Sequence, residues 1–531
     1  MDISLKINKG FKWHSNESIF IKGYFFDRNN NFYQKENALL FLDKITSKEK
    51  FIKKIKEING CFSVLIKVDN AVFIASDTTR SFPLFYTFKN EKIHISDDIV
   101  FLKEKYNISE FNKLAKLELK ASLHTCGKKT LLQNVFQVQS NEYLIIKNNK
   151  IIENNFFFTY AIKDESSISY SSLKKEATLA FENTFKRLLS SLDNKMVVIP
   201  LSAGFDSRLI AVFLKKHNYN NVICYTYGSS KSSEIENSKR VAKKLGFKWF
   251  FIEYDAELTN DFLNSNDFNE FTHFAGKFSS TPNLQEYFAV KYLKENNLIH
   301  KDSIFIPGYS GDLLGGSQFL KVIPRDLKTK EIVPLILKRK FNNYHLTLSE
   351  KKILKKEIET NLKNLDKNYH QNIPSSVFEN YDITEKIAKY IFNSASFYNF
   401  FGFEHRTPFW DKELLLFFKT VPHEFKILKT LFDEVLIEEY FNRFEVNFSN
   451  EQQPTNRNLK FQKIKNKIKP FFSTFIKQKK LKKNDWNNYQ PITNQLLLLI
   501  RKNDLKVKRK SNDYNEIIAQ WYVYLCQNKV K

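Results

Sequence analysis

The alternation of hydrophobic and polar residues divides the chain into two parts. Up to about residue 160, short stretches rich in Val, Ile, Phe and Tyr alternate with turns of Asn, Asp, Gly and Lys. This pattern is typical of antiparallel strands. Between them, "ENALLFLDKITSKEKFIKKIKEI" (residues 36–58) has apolar residues at helical spacing, which predicts one helix. We therefore expect an N-terminal part rich in antiparallel sheet, with few helices.

After a polar linker (residues 158–172), predicted helices and strands alternate. The helical pattern of residues 173–192 precedes the strand "KMVVIPL", and two further helix–strand pairs lead to "DSIFIPGYSGD" (residues 302–312). Such alternation is typical of a parallel sheet with crossover helices. From about Lys321 the sequence is mainly helical and rich in lysine. The sequence thus predicts a two-domain α/β protein.

Composition narrows the class of protein. Lys and Arg (84) exceed Asp and Glu (58) by 26, a balance that raises the question of a nucleic-acid or membrane partner. The basic residues are spread along the chain, and the densest block, "KQKKLKK" (residues 477–483), is typical of a solvated face, so we interpret the charge as compositional bias. Four scattered cysteines, no apolar signal core and no stretch of membrane-spanning length indicate a cytoplasmic protein without a membrane partner. Because the charge is spread along the chain, a nucleic-acid partner is disfavoured.

The segment "IPLSAGFDSR" (residues 199–208) is the first candidate for chemistry. A strand, a tight turn and a helix follow one another, a layout that directs backbone N–H groups and a helix N-terminus at an anion. Ser202, Gly204 and Ser207 would contact phosphate, and Asp206 would hold Mg²⁺. An ordinary capped strand-to-helix turn is the alternative interpretation.

Two further turns follow strands of the same predicted sheet. "TYGSSKSSE" (residues 226–234) contains Tyr227, whose strand could present its backbone to a purine edge, and "GYSGDLLGG" (residues 308–316) contains Gly308 and Asp312. Ligands of open parallel sheets bind beyond the carboxyl ends of the strands. Two aspartates from separate loops beside a phosphate-binding turn, which begins after Leu201, predict a Mg²⁺–ATP site.

These segments carry a resemblance to known families. Residues 202–207 resemble the S-G-G-x-D-S loop of ATP pyrophosphatases, with Ala203 in place of one glycine. "GFEHRTPFWD" and the residues up to 436 resemble the asparagine synthetase stretch E-x-R-x-P-F-L-D, which is followed by a lysine and a helix. Residues 59–88 and 130–146 resemble the second half and the end of that family's glutamine-amidohydrolase domain. On these residues the chain is identified as asparagine synthetase-like.

The resemblance implies two domains. Residues 1–160 would form a degenerate glutamine amidotransferase type 2-like domain, an αββα sandwich of the Ntn-hydrolase type. Residues 170–531 would form the ATP-binding domain, an adenine-nucleotide α-hydrolase-like parallel sheet with added helices. The family's nucleophilic Cys is replaced by Asp2, and its N-G-E by "KGY" (residues 22–24), while Cys61 lies in a predicted strand. The N-terminal domain is therefore expected to lack glutaminase activity and to act as a scaffold.

The resemblance also implies a reaction. ATP would activate a small-molecule carboxylate, such as a peptide or sugar acid, as an acyl-adenylate, and an amine or ammonia would then form the amide. Lys429 matches the family lysine that binds pyrophosphate. Tyr309 stands where the family has a glutamate, as in the β-lactam synthetases, and it can accept a proton only if neighbours lower its pKa. We expect Glu385 to be the carboxylate that orients it.

Other functions stay open at this point. The same scaffold supports intramolecular cyclases that close a lactam or peptide ring, and the ATP-binding loop occurs in tRNA-modifying ligases. A catalytically silent scaffold also fits, because two family positions are altered. The sequence leaves the acid, the amine and the oligomeric state, including a homodimer, undetermined.

Overall fold

The structure is a computed structural model that describes residues 1–319, 327–448, 485, 487–503 and 514–528. Lys321 and the basic block at residues 477–483 lie outside the described residues. Within the described ranges, every helix is too short or too polar to cross a bilayer.

The strands and helices of the described residues are numbered in chain order. The strands are β1 (Asp2–Ser4), β2 (Trp13–Ser15), β3 (Ile19–Phe26), β4 (Phe32–Gln34), β5 (Asn59–Val68), β6 (Ala71–Ser76), β7 (Phe85–Lys89), β8 (Lys92–Ser96), β9 (Val135–Gln137), β10 (Glu142–Lys147), β11 (Lys150–Phe156), β12 (Val197–Pro200), β13 (Val222–Gly228), β14 (Lys248–Glu253), β15 (Ile304–Phe305) and β16 (Glu404–His405). The α-helices are α1 (Glu36–Leu42), α2 (Lys48–Glu57), α3 (Ile99–Lys105), α4 (Lys113–Ser122), α5 (Tyr170–Ser190), α6 (Phe205–Lys216), α7 (Ser233–Leu245), α8 (Ala256–Thr259), α9 (Asn266–Gly276), α10 (Tyr287–Glu295), α11 (Gly311–Leu314), α12 (Thr329–Lys340), α13 (Leu348–Leu365), α14 (Pro374–Asp382), α15 (Phe397–Phe400), α16 (Lys412–Thr420), α17 (His423–Lys426), α18 (Thr430–Leu436), α19 (Tyr489–Lys502) and α20 (Tyr514–Asn528). The segments Ile383–Asn393 and Ile437–Phe441 are π-helical.

The first eleven strands form two stacked sheets. The small sheet has the order β1-β8-β7-β9, and the large sheet has the order β11-β10-β6-β5-β3-β2, with β4 paired to β3. Among the described residues, β1 and β8 pair in parallel and the other neighbours pair antiparallel. The predicted antiparallel N-terminal part is confirmed.

Alternating side chains of β5 show how the layers form. Val64 and Ile66 pack with Phe51 of α2, whereas Leu65 points to the opposite face and packs with Ile95 of the small sheet. Successive strand residues face opposite sides of a sheet, so an apolar run buries both faces. Helices α3 and α4 cover the outer face of the small sheet. Two helices, two sheets and two helices thus form an αββα sandwich, which we call the N-terminal sandwich (residues 2–156).

The single helix predicted for residues 36–58 is wrong, because the structure divides this segment into α1 and α2. Ser47 caps the second helix by accepting a hydrogen bond from the Lys50 N–H at 3.3 Å. Serine favours a helix N-cap over a helix interior. The apolar periodicity continues through this break, which explains why the pattern concealed it.

The C-terminal part is built on a parallel sheet with the strand order β14-β13-β12-β15-β16. Val197 and Ile199 of β12 pack with α5 and α6, and Val198 packs on the opposite face. The chain moves outward from β12 in one direction and then continues with β15 on the other side. The crevice between the carboxyl ends of β12 and β15 is therefore the position where such sheets bind ligands.

Polar contacts join the two parts. Arg187 of α5 donates hydrogen bonds to both carboxylate oxygens of Asp411 at 2.8 Å, and Asn59 of β5 donates to the same carboxylate at 2.8 Å. The segment around Asp411 therefore holds the parallel sheet against the N-terminal sandwich.

Helices α12 to α14 form a third core that includes Ala121 and Cys126, two residues that precede β9.

Candidate functional site

The turn between β12 and α6 is shaped by hydrogen bonds among its own residues. Ser207 Oγ accepts from the Ser202 N–H at 3.0 Å, and Ser202 Oγ accepts from the Gly204 N–H at 3.1 Å. The Leu201 N–H donates to the Tyr225 carbonyl at 2.8 Å, which anchors the turn to β13. The turn therefore has a fixed shape at the carboxyl edge of the sheet.

The N-terminus of α6 points toward this turn. Its N-cap is Gly204, and no side chain accepts a hydrogen bond at the cap. The first backbone N–H groups of a helix lack partners within the helix and carry partial positive charge, so they are suited to bind a phosphate. The buried Arg208 donates to the carbonyls of Ala203 and Val446, the latter at 3.2 Å, and so fixes the turn against the C-terminal helices.

Two glycines after β15 bring a second loop against the first. A Cβ at Gly308 would lie 2.8 Å from the Ser207 nitrogen, and a Cβ at Gly311 would lie 2.8 Å from Asp206 Cγ. The Asp312 N–H donates to Asp206 Oδ2 at 2.9 Å. Residues with a side chain would force the loops apart, so these glycines set the distance between the two aspartates.

Asp206 and Asp312 have the character of a cation site. Among the described residues, the enclosed Asp206 Oδ1 has no hydrogen-bond partner. Burial and the nearby Asp312 carboxylate raise the pKa of Asp206 above its usual range. A carboxylate in this position is costly unless a cation or a proton meets it. Carboxylate oxygens are the ligands that Mg²⁺ prefers, so the pair fits this ion.

These loops line a cavity of about 490 Å³ at the carboxyl edge of the sheet, which we call the nucleotide cavity. Its volume lies in the range of small-molecule sites. The structure brings ten of the residues predicted from the sequence together around it: Leu201, Ser202, Gly204, Asp206, Ser207, Tyr227, Gly308, Tyr309, Asp312 and Lys429.

Lys429 enters the cavity from the start of α18. Its Nζ donates to Asp433 Oδ1 at 2.9 Å and lies 5.1 Å from the centroid of the Phe205 ring at the start of α6. Its positive charge partly offsets the rise in the pKa of Asp206. Lys429 therefore places a cation beside the carboxylates and the helix N-terminus, where phosphate charge would collect.

Tyr309 belongs to a cluster of tyrosine hydroxyls around Glu286. The hydroxyls of Tyr225 and Tyr398 donate to Glu286 Oε2 at 2.6 Å, and that of Tyr309 lies 3.4 Å from Oε1. Burial raises the pKa of Glu286 to about 6. Burial and the charge of Glu286 raise the pKa of Tyr309 above its ordinary value of 10. The condition for Tyr309 to act as the base is not met, and Glu286 is the stronger proton acceptor.

The structure places Glu385 elsewhere, which corrects its predicted position. Its carboxylate accepts hydrogen bonds from Lys389 Nζ at 2.7 Å and from the Gly127 N–H at 2.9 Å. The π-helical segment that carries Glu385 directs this side chain toward Gly127, so it ties the segment to the residues between α4 and β9. The carboxylate beside Tyr309 is Glu286 instead.

Sequence reasoning missed Glu286 and other polar residues of the nucleotide cavity, including Thr226 and Gln285. Glu286 directly precedes α10, where no glycine-rich turn follows a strand. Tyr225 could have been found, because it lies two residues before Tyr227 in β13 and such residues share one face of a strand.

Lys22, Gly23 and Cys61, the residues of the N-terminal sandwich that bear on glutaminase activity, are tightly packed. Gly23 has a φ of +104°, and a Cβ there would lie 2.0 Å from the Cys61 carbonyl and 2.5 Å from the Phe82 ring. Lys22 Nζ donates to the Ile7 carbonyl at 2.6 Å. Burial raises the pKa of the Cys61 thiol. A buried thiol of this kind is a poor nucleophile.

Residues 180–443 match the family model of asparagine synthase. The microcin J25-processing protein McjC of Escherichia coli is 24% identical over 274 residues, which cover 49% of this chain and 48% of that protein. The chain therefore spans about half the length of this curated relative.

Two solved structures show weak likeness. The NH3-dependent NAD synthetase from Campylobacter jejuni is 17% identical with a TM-score of 0.20, covering 40% of this chain and 94% of that chain. The glutamine phosphoribosylpyrophosphate amidotransferase from B. subtilis is 9% identical with a TM-score of 0.20, covering 57% of this chain and 64% of that chain. The family match and the similarity to McjC support an asparagine synthetase-like family, and residues 180–443, which we call the asparagine synthase domain, are the part that matches the family model.

Proposed function

We propose that this protein is an ATP-dependent ligase that forms amides, and that residues 170–531 carry the reaction. The observation that supports this best is the composition of the nucleotide cavity. One cavity combines a helix N-terminus, a carboxylate pair, a lysine and a tyrosine–glutamate pair. The helix N-terminus, the carboxylate pair and the lysine would serve activation of the acid by ATP. The tyrosine–glutamate pair would take the proton when an amine attacks.

In the first half-reaction, a substrate carboxylate attacks the α-phosphate of ATP, and pyrophosphate leaves as the acyl-adenylate forms. Within the turn from Ser202 to Ser207, the backbone N–H groups that open α6, those of Phe205, Asp206 and Ser207, bind phosphate oxygens. Asp206 and Asp312 would hold Mg²⁺, which when bound neutralises phosphate charge. Lys429 provides a fixed cation for the leaving pyrophosphate.

The remaining predicted residues complete the walls around ATP. Leu201 and Tyr227 lie at the carboxyl ends of neighbouring strands, where the adenosine would bind, and Gly308 lets the second loop close on the phosphates.

In the second half-reaction, an amine or ammonia attacks the acyl carbon, AMP leaves, and the nitrogen loses a proton. We assign this proton to Glu286 through Tyr309. The Tyr309 hydroxyl accepts the proton from the amine while it donates its own proton to Glu286, so the phenol stays neutral throughout. The hydroxyls of Tyr225 and Tyr398 hold the acceptor in place at 2.6 Å.

We further propose that the nitrogen does not come from glutamine. Residues 1–160 would be a degenerate amidotransferase domain in which Lys105 Nζ donates to the Asp2 carboxylate at 2.7 Å. Cys61 is 4% exposed, so a glutamine side chain has no access to its thiol. The sandwich would support the ligase domain instead.

A second candidate is amide formation within one substrate, such as closure of a lactam or a peptide ring. Tyr309 favours it, because tyrosine at this position resembles the β-lactam synthetases. The relative McjC is named for the processing of microcin J25, which directs the search toward peptide substrates.

An ATP–pyrophosphate exchange assay across amino acids, sugar acids and carboxylate-bearing peptides tests the proposal, together with calorimetric titration of Mg²⁺–ATP. Asp206→Ala should abolish exchange and weaken ATP binding, because it removes a metal ligand. Asp302→Ala, which changes an exposed carboxylate, is the matched control. Unchanged ATP affinity in folded Asp206→Ala would contradict the assignment. Absence of ATP binding in the unaltered protein would favour a silent scaffold, and tRNA binding at physiological salt would favour a tRNA-modifying ligase.

A further inference from the structure

A second cavity of about 370 Å³ lies between the N-terminal sandwich and helices α9, α15 and α20. None of the residues that line it lines the nucleotide cavity. Its apolar wall consists of Ile7, Val100, Phe274, Phe278 and Phe400. We call it the interface cavity.

Lys277, at the C-terminal end of α9, is the unusual residue of this cavity. It is 7% exposed, and its side chain lines both the interface cavity and a smaller cavity beside it. Across the described ranges, its ammonium has no hydrogen-bond or ion-pair partner, and its polar contact is with the Phe274 ring, 4.8 Å from the centroid. Burial and the positive charges of Arg80 and Lys22 lower the pKa of Lys277 to about 7.

The acidic residues of the cavity offset this charge only in part. Asp97 and Asp98 favour the charged form of Lys277 without forming an ion pair with it, and Glu104 is exposed to solvent. Asp97 accepts hydrogen bonds from two backbone N–H groups and from Trp13 Nε1 at distances of 2.7 to 3.1 Å. Asp98 caps α3, and Glu270 pairs with Lys9 at 3.1 Å. A buried cation without a partner destabilises a protein, and an anion bound beside it would remove that cost.

We propose that the interface cavity binds a small organic carboxylate with an apolar body. The carboxylate pairs with Lys277, and the apolar body contacts Phe274, Phe278 and Phe400. Lys103 of α3, which is 9% exposed and also lines the cavity, adds a second positive charge. This ligand joins the N-terminal sandwich to α9, a role separate from the proposed ligase reaction.

The surrounding charges favour a monoanion over a phosphate. A phosphate carries nearly two negative charges near neutral pH and would meet the carboxylates of Asp97 and Asp98. It would also leave the phenylalanine wall in contact with water. A carboxylate with an aromatic body satisfies both sides of the cavity.

Isothermal titration calorimetry on the full chain tests the proposal with phenylacetate, the neutral analogue phenylacetamide, and inorganic phosphate. We expect phenylacetate to bind at least about tenfold more tightly than the other two. Lys277→Met should lower the affinity for phenylacetate at least about tenfold, and the exposed Lys367→Met should leave it unchanged. Equal binding of phenylacetate and phenylacetamide, or no binding of phenylacetate, would overturn the proposal.

A second measurement avoids any effect of substitution on folding. Lysines of the unaltered protein are acetylated with acetic anhydride, and each site is followed by peptide mass spectrometry. Saturating phenylacetate should slow the labelling of Lys277 and leave that of Lys367 unchanged. Equal labelling of Lys277 with and without phenylacetate contradicts the site. Competition between phenylacetate and Mg²⁺–ATP would place the ligand in the nucleotide cavity and also overturn it.

Discussion

Gly308 and Gly23 both let two stretches of backbone approach closely, but with opposite results. At Gly308 the approach brings two loops together at the rim of a cavity of about 490 Å³. At Gly23 the Cys61 carbonyl and the Phe82 ring fill the space. The asparagine synthase domain thus keeps open space at the proposed nucleotide site, whereas the sandwich is tightly packed around Gly23.

The sandwich also supports the asparagine synthase domain through direct contacts. Its residues bind structural elements of the asparagine synthase domain: Asn59 contacts Asp411, and Gly127 contacts Glu385. The buried Arg80 donates to the side chain of Asn393. A protein that lost these contacts would be less stable, so the sandwich has a structural role toward the asparagine synthase domain.

The largest effect is expected when a contact between the two parts is removed. Arg187 binds both oxygens of Asp411 and donates to Asn30 of the sandwich at 2.9 Å. Arg187→Met leaves a buried carboxylate without its cation, so the free energy of unfolding should fall by about 3–5 kcal/mol in urea titrations. Lys186→Met changes the exposed neighbour and should cost less than about 0.5 kcal/mol. A similar small loss for Arg187→Met would mean that the network of Arg187, Asp411 and Asn30 does not hold the two parts together.

The next largest effect is expected at the nucleotide cavity. Lys429→Met removes the cation beside the proposed phosphate site, so both exchange and amide formation should fall by about a hundredfold to a thousandfold. Steady-state rates for the two half-reactions measure this. Lys355→Met, on the exposed face of α13, is the control. A loss of amide formation with normal exchange would remove Lys429 from the adenylation step.

Tyr309→Phe should separate the half-reactions. The change removes the hydroxyl and keeps the ring, so exchange should survive while amide product falls by about a hundredfold. Tyr292→Phe, a partly exposed tyrosine on α10, should leave both rates unchanged. Amide formation at the normal rate, with chemistry shown to limit it, would make Tyr309 a packing residue.

The same pair predicts a pH dependence. Glu286 must be ionised to accept the proton, and its pKa is raised to about 6. The rate of amide formation should therefore rise with pH through about 6 and fall tenfold per unit below it. Glu286→Gln should lower the rate and abolish this limb, and an unchanged profile would assign it to another group.

The sequence predicted the fold well where one local rule dominates. Apolar runs such as that of β5 indicate strands buried on both faces, and glycine-rich turns after strands identified the loops of the nucleotide cavity. The break between α1 and α2 depends on one serine cap, which periodicity does not show.

Glu286 illustrates the limit for the candidate site. It lies 23 residues before Tyr309 and precedes a helix, outside the glycine-rich turns that follow strands. Tyr225 of β13 and Tyr398 hold its carboxylate beside Tyr309. Glu385 stood close to a family motif in sequence and lies elsewhere in space. Nearness to a family motif along the chain therefore did not place Glu385 beside Tyr309 in the fold.

The smallest effect is expected at Cys61 of the N-terminal sandwich. Cys61 is buried, its pKa is raised, and its sulfur lies 3.3 Å from Thr407 Oγ1. Purified protein incubated with glutamine should therefore release no glutamate above background, and Cys61→Ala should leave exchange and amide formation unchanged.

Because Cys61→Ala removes only the buried sulfur atom, it should lower the free energy of unfolding by about 1 kcal/mol. Glutamate release that disappears in Cys61→Ala would give the sandwich a reaction of its own. Release that survives the substitution would reveal another nucleophile. Either outcome would remove the contrast between Gly23 and Gly308, because both glycines would then border working sites.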